Sequence, residues 1–136
     1  MIALDTNVLV RFLTQDDAEQ AQLASSLISG LTSDDPGFVC REVLVELVWV
    51  LERAYNYPRA DIAGALAGLL AATELVIEEA DSVADVLHLY ENKGYGFSDL
   101  MIRQAARRSK SHKLVTFDKT AAELDGVDWL AAPKSD

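Results

Sequence analysis

The stretch Met1-Ile2-Ala3-Leu4-Asp5-Thr6-Asn7-Val8-Leu9-Val10-Arg11-Phe12-Leu13 decides the fold. Its first four residues are a short apolar run that reads as a strand. Beyond Asn7 the apolar positions Val8, Leu9, Phe12 and Leu13 take a helical spacing. The chain therefore passes from strand to helix within Asp5-Thr6-Asn7. An acid at such a junction can be oriented by helix-terminal N–H groups, and it can equally be a plain N-cap.

The same alternation recurs along the chain. Asp16 and Asp17 precede a helical pattern from Ala18 to Leu31. A turn over 33–37 leads to a β-prone Phe38-Val39-Cys40. Arg41 to Tyr57 reads as a long helix, apolar almost all round and stopped by Pro58. Further helices are expected over Arg59–Ala72, over Ala80–Tyr90, and after Ser98, which is placed to be an N-cap. Short strands are expected at Leu75–Ile77, Leu114–Thr116 and Val127–Leu130, with a short helix over Lys119–Leu124. Strands alternating with helices predict an α/β fold, a parallel sheet flanked by helices on both faces, with ligands outside the C-terminal strand ends. Asp5 and Asp118 both fall just beyond such ends.

At 136 residues the chain is expected to form one domain, 1–136, burying roughly two-thirds of the surface its unfolded form exposes. No apolar run approaches the roughly 20 residues of a bilayer span, and the N-terminus does not read as a signal peptide. The expectation is a cytoplasmic protein. The single cysteine, Cys40, excludes an internal disulfide or a thiolate metal cluster and reads as a small buried hydrophobe.

A net charge of −10 argues against a nucleic-acid partner until its distribution is considered. Between Lys93 and Lys119 stand seven basic residues and two acidic ones, a balance of +5. The remainder carries five basic against twenty acidic residues, or −15. The two acids in the basic segment are Asp99 and Asp118, and Arg103, Arg107, Arg108 and Lys110 form an expected basic face for a nucleic-acid backbone.

Four acids are candidate metal ligands: Asp5, Glu46, Asp99 and Asp118. Glu46 stands among Val43, Leu44, Val45, Leu47, Val48, Trp49, Val50 and Leu51, which predicts a buried carboxylate needing a cation. Glu42, at the start of the same helix, is explained by the helix dipole and ranks below it. Asp99 falls in the first turn of a helix, and Asp118 lies between a strand and a short helix with Thr116 nearby. Several carboxylates in one pocket repel, by on the order of 4 kcal/mol for a pair 4 Å apart at an effective dielectric near 20, and a divalent cation relieves that. Oxygen-only ligands favour Mg²⁺ or Mn²⁺. His88 and His112 have no metal-ligand spacing.

These pieces, in order, resemble the PIN-domain nucleases, and in particular the VapC toxins of type II toxin–antitoxin pairs. The matching segments are Leu4-Asp5-Thr6-Asn7-Val8-Leu9-Val10-Arg11, Glu46-Leu47-Val48-Trp49-Val50-Leu51, Phe97-Ser98-Asp99 and Thr116-Phe117-Asp118-Lys119. The resemblance implies a PIN fold, Mg²⁺ or Mn²⁺ held by Asp5, Glu46, Asp99 and Asp118, endonucleolytic hydrolysis of RNA, a homodimer and inhibition by a VapB-type antitoxin. By position, Asn7 and Thr116 match the family's accessory polar residues. Ser98 departs from the alanine common before the third acid.

Two other readings compete. An aspartyl phosphotransfer enzyme would also put an Asp after the first strand, but Asn7 stands where a dehalogenase-type phosphatase needs a second Asp. A non-catalytic module of the same fold, binding RNA or protein, is the stronger alternative.

Overall fold

The computed structural model describes residues 1–131, so the last five residues of the expected 1–136 domain lie outside the description. Strands β1 (Ile2–Ala3), β2 (Gly37–Val39), β3 (Leu75–Ile77), β4 (Leu114–Thr116) and β5 (Val127–Trp129) alternate with six helices. These are α1 (Thr6–Thr14), α2 (Ala18–Ser29), α3 (Arg41–Arg53), α4 (Arg59–Ala71), α5 (Ala80–Lys93) and α6 (Phe97–Arg108). Every strand pairing is parallel. The strands form two hydrogen-bonded groups, β1-β2-β3 and β4-β5.

Local chemistry sets the helix ends. Asp17 caps α2 by accepting from the Gln20 N–H at 2.9 Å. Gly94, at φ 77°, ends α5 in the left-handed region that glycine enters without a Cβ clash. Helix α3 ends at Arg53, short of the expected Tyr57. The reversal is made by a loop with Asn56 at φ 53°, and Pro58 instead caps α4.

The core is built from α3, α4 and α5 against the sheet. Leu47, Leu51, Ile62, Val83 and Tyr90 are essentially inaccessible, and burial of each of the four aliphatic side chains is worth roughly 1.5–3 kcal/mol. Tyr90 packs edge-on against Phe97 with ring centroids 5.7 Å apart, which joins α5 to the first turn of α6. Its hydroxyl donates to Glu52 at 2.9 Å, and burial holds the phenol well above its ordinary pKa. Cys40 is half-buried and free at the start of α3.

Candidate active site

Asp5 leaves β1 directly, in extended backbone at φ −83° and ψ 163°. Its side chain accepts from the Thr6 N–H at 2.7 Å, so it caps α1 and keeps one carboxylate oxygen exposed to other partners. Thr6 behind it is buried. Asn7 is exposed and lines a small cleft between α1 and α2 with Arg11 and Gln20.

Glu46 corrects an expectation. The run of aliphatic residues around it predicts burial, yet Glu46 is exposed, as are Glu42 and Trp49. Leu44, Leu47, Val48 and Leu51 cover one side of α3, and the opposite side opens onto a groove of about 910 Å³ between α3 and α6. The cost of burying a charge therefore does not single out Glu46. What places it is the groove, where it stands with Trp49, Ile102 and Arg108.

Asp99 is the acid whose surroundings do perturb it. It is half-buried in the first turn of α6, and burial followed by the negative charge of Asp118 raises its carboxyl pKa above the ordinary range. Gly96, the N-cap, makes room for it: a Cβ there would lie 2.9 Å from Asp99 Oδ2. Ser98 was expected to cap this helix and does not. Phe97 is buried against Tyr90 and takes the first helical position, which leaves Ser98 exposed inside the helix.

Asp118 is fixed by its own turn. Thr116 Oγ1 accepts from the Asp118 N–H at 3.0 Å, while Asp118 Oδ1 accepts from the N–H groups of Thr120 and Ala121 at 2.9 and 3.1 Å. It thus starts the short 3₁₀ turn Ala121–Glu123 that replaces the expected Lys119–Leu124 helix. Thr116 and Asp99 line one small pocket with Ile102, and Ile102 also lines the Glu46 groove. Asp99 feels the negative charge of Asp118, and Ile102 is common to the Asp99 pocket and the Glu46 groove. Among the described residues, no three His, Cys, Asp or Glu side chains stand close enough to form a ready metal cage.

The basic residues do not share one face. Arg103 and Arg107, four apart on α6, both turn to Asp125: Arg103 Nε donates to its carbonyl at 2.9 Å, and Arg107 pairs with its carboxylate at 3.6 Å. Arg108, one residue further round, lines the Glu46 groove and pairs with Glu79. Lys110 is exposed beyond the helix at φ 64°. A 100° step per residue turns Arg108 to Glu79 and Arg107 to Asp125, although both line one shallow cleft with Gln104. His88 and His112 are both exposed.

One important residue was not singled out by the sequence. Arg41 is 8% exposed at the start of α3, and its guanidinium donates to the Met101 carbonyl at 2.7 Å and to Gln104 Oε1 at 3.0 Å on α6. Its carboxylate neighbour is Glu79 at 3.5 Å. The available signal was an arginine directly between a strand and an otherwise apolar helix.

The profile of the PIN domain family matches residues 2–127, a span that includes all four acids. The chain belongs to the PIN domain family. The α/β architecture with parallel strands agrees with that assignment. A protein of Aquifex aeolicus (strain VF5) named VapC ribonuclease is 26% identical over 125 residues, covering 91% of this PIN-domain chain and 92% of that protein.

Proposed function

We propose that this PIN-domain chain is a metal-dependent endoribonuclease, the toxin of a toxin–antitoxin pair restrained by a VapB-type antitoxin. The observation that carries the reading is the Asp99 carboxylate, half-buried beside Asp118 with burial and like charge both opposing its ionisation. A VapC-named relative matched along nearly the whole chain supports it. Such a pair of acids suits a cation.

Asp99, Asp118, Asp5 and Glu46 would hold Mg²⁺ or Mn²⁺, and an all-oxygen set fits those hard ions. Bound there, the ion would neutralise charge at the scissile phosphodiester and activate water for in-line hydrolysis. The chain's own residues prepare that site. Thr116 and the N–H groups of Thr120 and Ala121 lock Asp118. The N-terminus of α1 orients Asp5 through Thr6. Gly96 leaves space for Asp99. Arg108, on the groove wall opposite Glu46, would meet RNA phosphate on releasing Glu79, as Arg103 and Arg107 would on releasing Asp125. Asn7 acts as an accessory polar group, and Lys110 adds positive charge beyond α6.

We further propose that the chain works as one domain, in the cytoplasm and as a homodimer. No helix among the described residues is long and apolar enough to cross a membrane. The competing reading is a non-catalytic module of the same fold that binds RNA or protein. The wide groove with Trp49 57% exposed favours it. RNA cleavage with and without Mg²⁺, in the parent and in Asp99→Asn, decides between them. The nuclease reading expects cleavage by the parent with Mg²⁺ alone, and it falls if Asp99→Asn cuts at the parent rate.

A further inference from the structure

Phe117 stands between Thr116 and Asp118, and its side chain is 77% exposed. It lies where β4 ends, at the strand exit that carries Asp118. Trp129, at the end of β5, is 47% exposed and pairs in register with Thr116. The Trp129 indole N–H donates to the Phe117 carbonyl at 3.0 Å, which puts the two aromatic residues at one corner of the fold. Lys119 Nζ lies 4.7 Å from the centroid of the Trp129 ring.

Large aromatic side chains left in water forgo the burial that normally holds them inside, so two at one strand exit call for an occupant. The neighbours restrict what it can be. Lys119 stands over Trp129, Asp118 and Asp128 adjoin the two aromatic residues in sequence, and Asp128 is bridged to Lys113 at 3.5 Å. An amphipathic protein helix needs a continuous apolar groove, and the broader apolar groove of this molecule lies between α3 and α6. A flat aromatic face with a cation over it matches instead the chemistry that holds an unpaired base and its phosphate.

We infer that Phe117 and Trp129, with Lys119, form a stacking subsite for one unpaired nucleotide of the RNA, beside Asp118. The inference rests on the ribonuclease reading for the identity of the ligand, and it adds which side chains hold one unpaired base beside Asp118. Duplex RNA keeps its bases stacked inside the helix and offers nothing to these rings. The hydrogen bond to the Phe117 carbonyl fixes the indole in advance, so stacking costs little ordering of that ring.

The test is fluorescence anisotropy with a short fluorescein-labelled single-stranded oligoribonucleotide in EDTA, where binding is read without cleavage. The probe is compared with the same sequence annealed to its complement. Phe117→Ala should weaken single-strand binding about tenfold, Phe117→Tyr should restore it, and duplex binding should be weak and indifferent to both. In a Trp49→Phe background Trp129 is the sole tryptophan, and its emission should be quenched as the single strand binds. Unchanged affinity in Phe117→Ala overturns the proposal, as does full affinity in Phe117→Leu, which would mean apolar contact without stacking. If Phe117→Ala keeps its RNA affinity and loses a VapB-type antitoxin, the corner is a protein surface and the proposal is again overturned. Mg²⁺-dependent cleavage is scored separately. Normal cleavage with normal binding by the variants removes only the subsite, whereas stacking with no cleavage by any form removes the nuclease reading and leaves the subsite.

Discussion

The Arg41 guanidinium at the start of α3 donates to the Met101 carbonyl of α6 at 2.7 Å, and this bond ties the helix carrying Glu46 to the helix carrying Asp99. Because Arg41 also holds Gln104, which in turn donates to Ser82 at 2.7 Å, α3, α5 and α6 are joined by one partly buried polar chain. Removing the arginine takes a charged donor from the Met101 carbonyl and from Gln104, and leaves Glu79 with Arg108 as its cationic neighbour. Arg41→Ala should therefore cost about 3 kcal/mol in urea unfolding. Arg41→Lys keeps the charge but cannot fork to both acceptors, and should recover only part of that loss. An alanine variant as stable as the parent would show that the two helices are held by apolar packing alone.

Gly96 offers a prediction in which stability and activity separate. Its backbone, φ −66° and ψ 138°, suits any residue, so an alanine there brings no conformational strain. The added methyl would meet Asp99 Oδ2 at 2.9 Å, and that carboxylate can swing aside. Gly96→Ala should thus unfold within about 0.5 kcal/mol of the parent, in the range of a surface change. RNA cleavage should nevertheless fall at least tenfold, because the displaced atom is a candidate ligand. Equal cleavage by the two forms would show that the position of Asp99 is not critical.

How the acids came to be legible differs from one to the next. Asp5 was readable because the change from strand to helix falls inside three residues, and the structure puts its side chain on the first N–H of α1. Asp118 was readable from its place after an apolar strand, but its bonds to Thr120 and Ala121 depend on a tight 3₁₀ turn that no periodicity announces. Glu46 was singled out for the wrong reason. Local sequence shows which residues are apolar, not which side of a helix lacks a neighbour, and here one side of α3 faces an open groove. The arginines of α6 were read without their partners, since Asp125 and Glu79 come from other elements. Both misreadings concern tertiary neighbours, whereas the alternation that fixed the fold class is a local pattern.

Asp16 supplies a pH prediction away from the site. It accepts from the Tyr55 hydroxyl at 2.6 Å and from Thr14 at 2.8 Å, and it pairs with Arg11 at 3.0 Å, so the turn after α1 is fastened to the segment after α3. These bonds, the Tyr55 one foremost, lower its carboxyl from 3.8 to about 2. A lowered carboxyl stabilises the folded state wherever it is ionised in both states, above about pH 4, and that contribution fades as pH drops toward 2. Asp16→Asn should consequently melt below the parent at pH 7, and the gap should narrow between pH 4 and pH 2. A gap constant across that range would assign the effect to packing and not to charge.

The last prediction concerns what the acidic pair costs the fold. Burial and then the charge of Asp118 both oppose ionisation of Asp99, and its raised pKa means that its charged form opposes folding. Asp99→Asn removes the repulsion while keeping the shape of the side chain, so in EDTA the variant should melt at or above the parent temperature. The order should reverse with metal. Millimolar Mg²⁺ or Mn²⁺ should raise the parent melting temperature, by the equivalent of about 2.7 kcal/mol at a hundred times Kd, and should move the variant little. Thermal melts of the two forms with EDTA and with each ion test this directly. If Asp99→Asn is the less stable form in EDTA, Asp99 is a structural helix-end carboxylate and the strain assigned to it is absent. If instead metal stabilises both forms equally, the ion binds without Asp99, and the ligand set must be drawn from the other three acids.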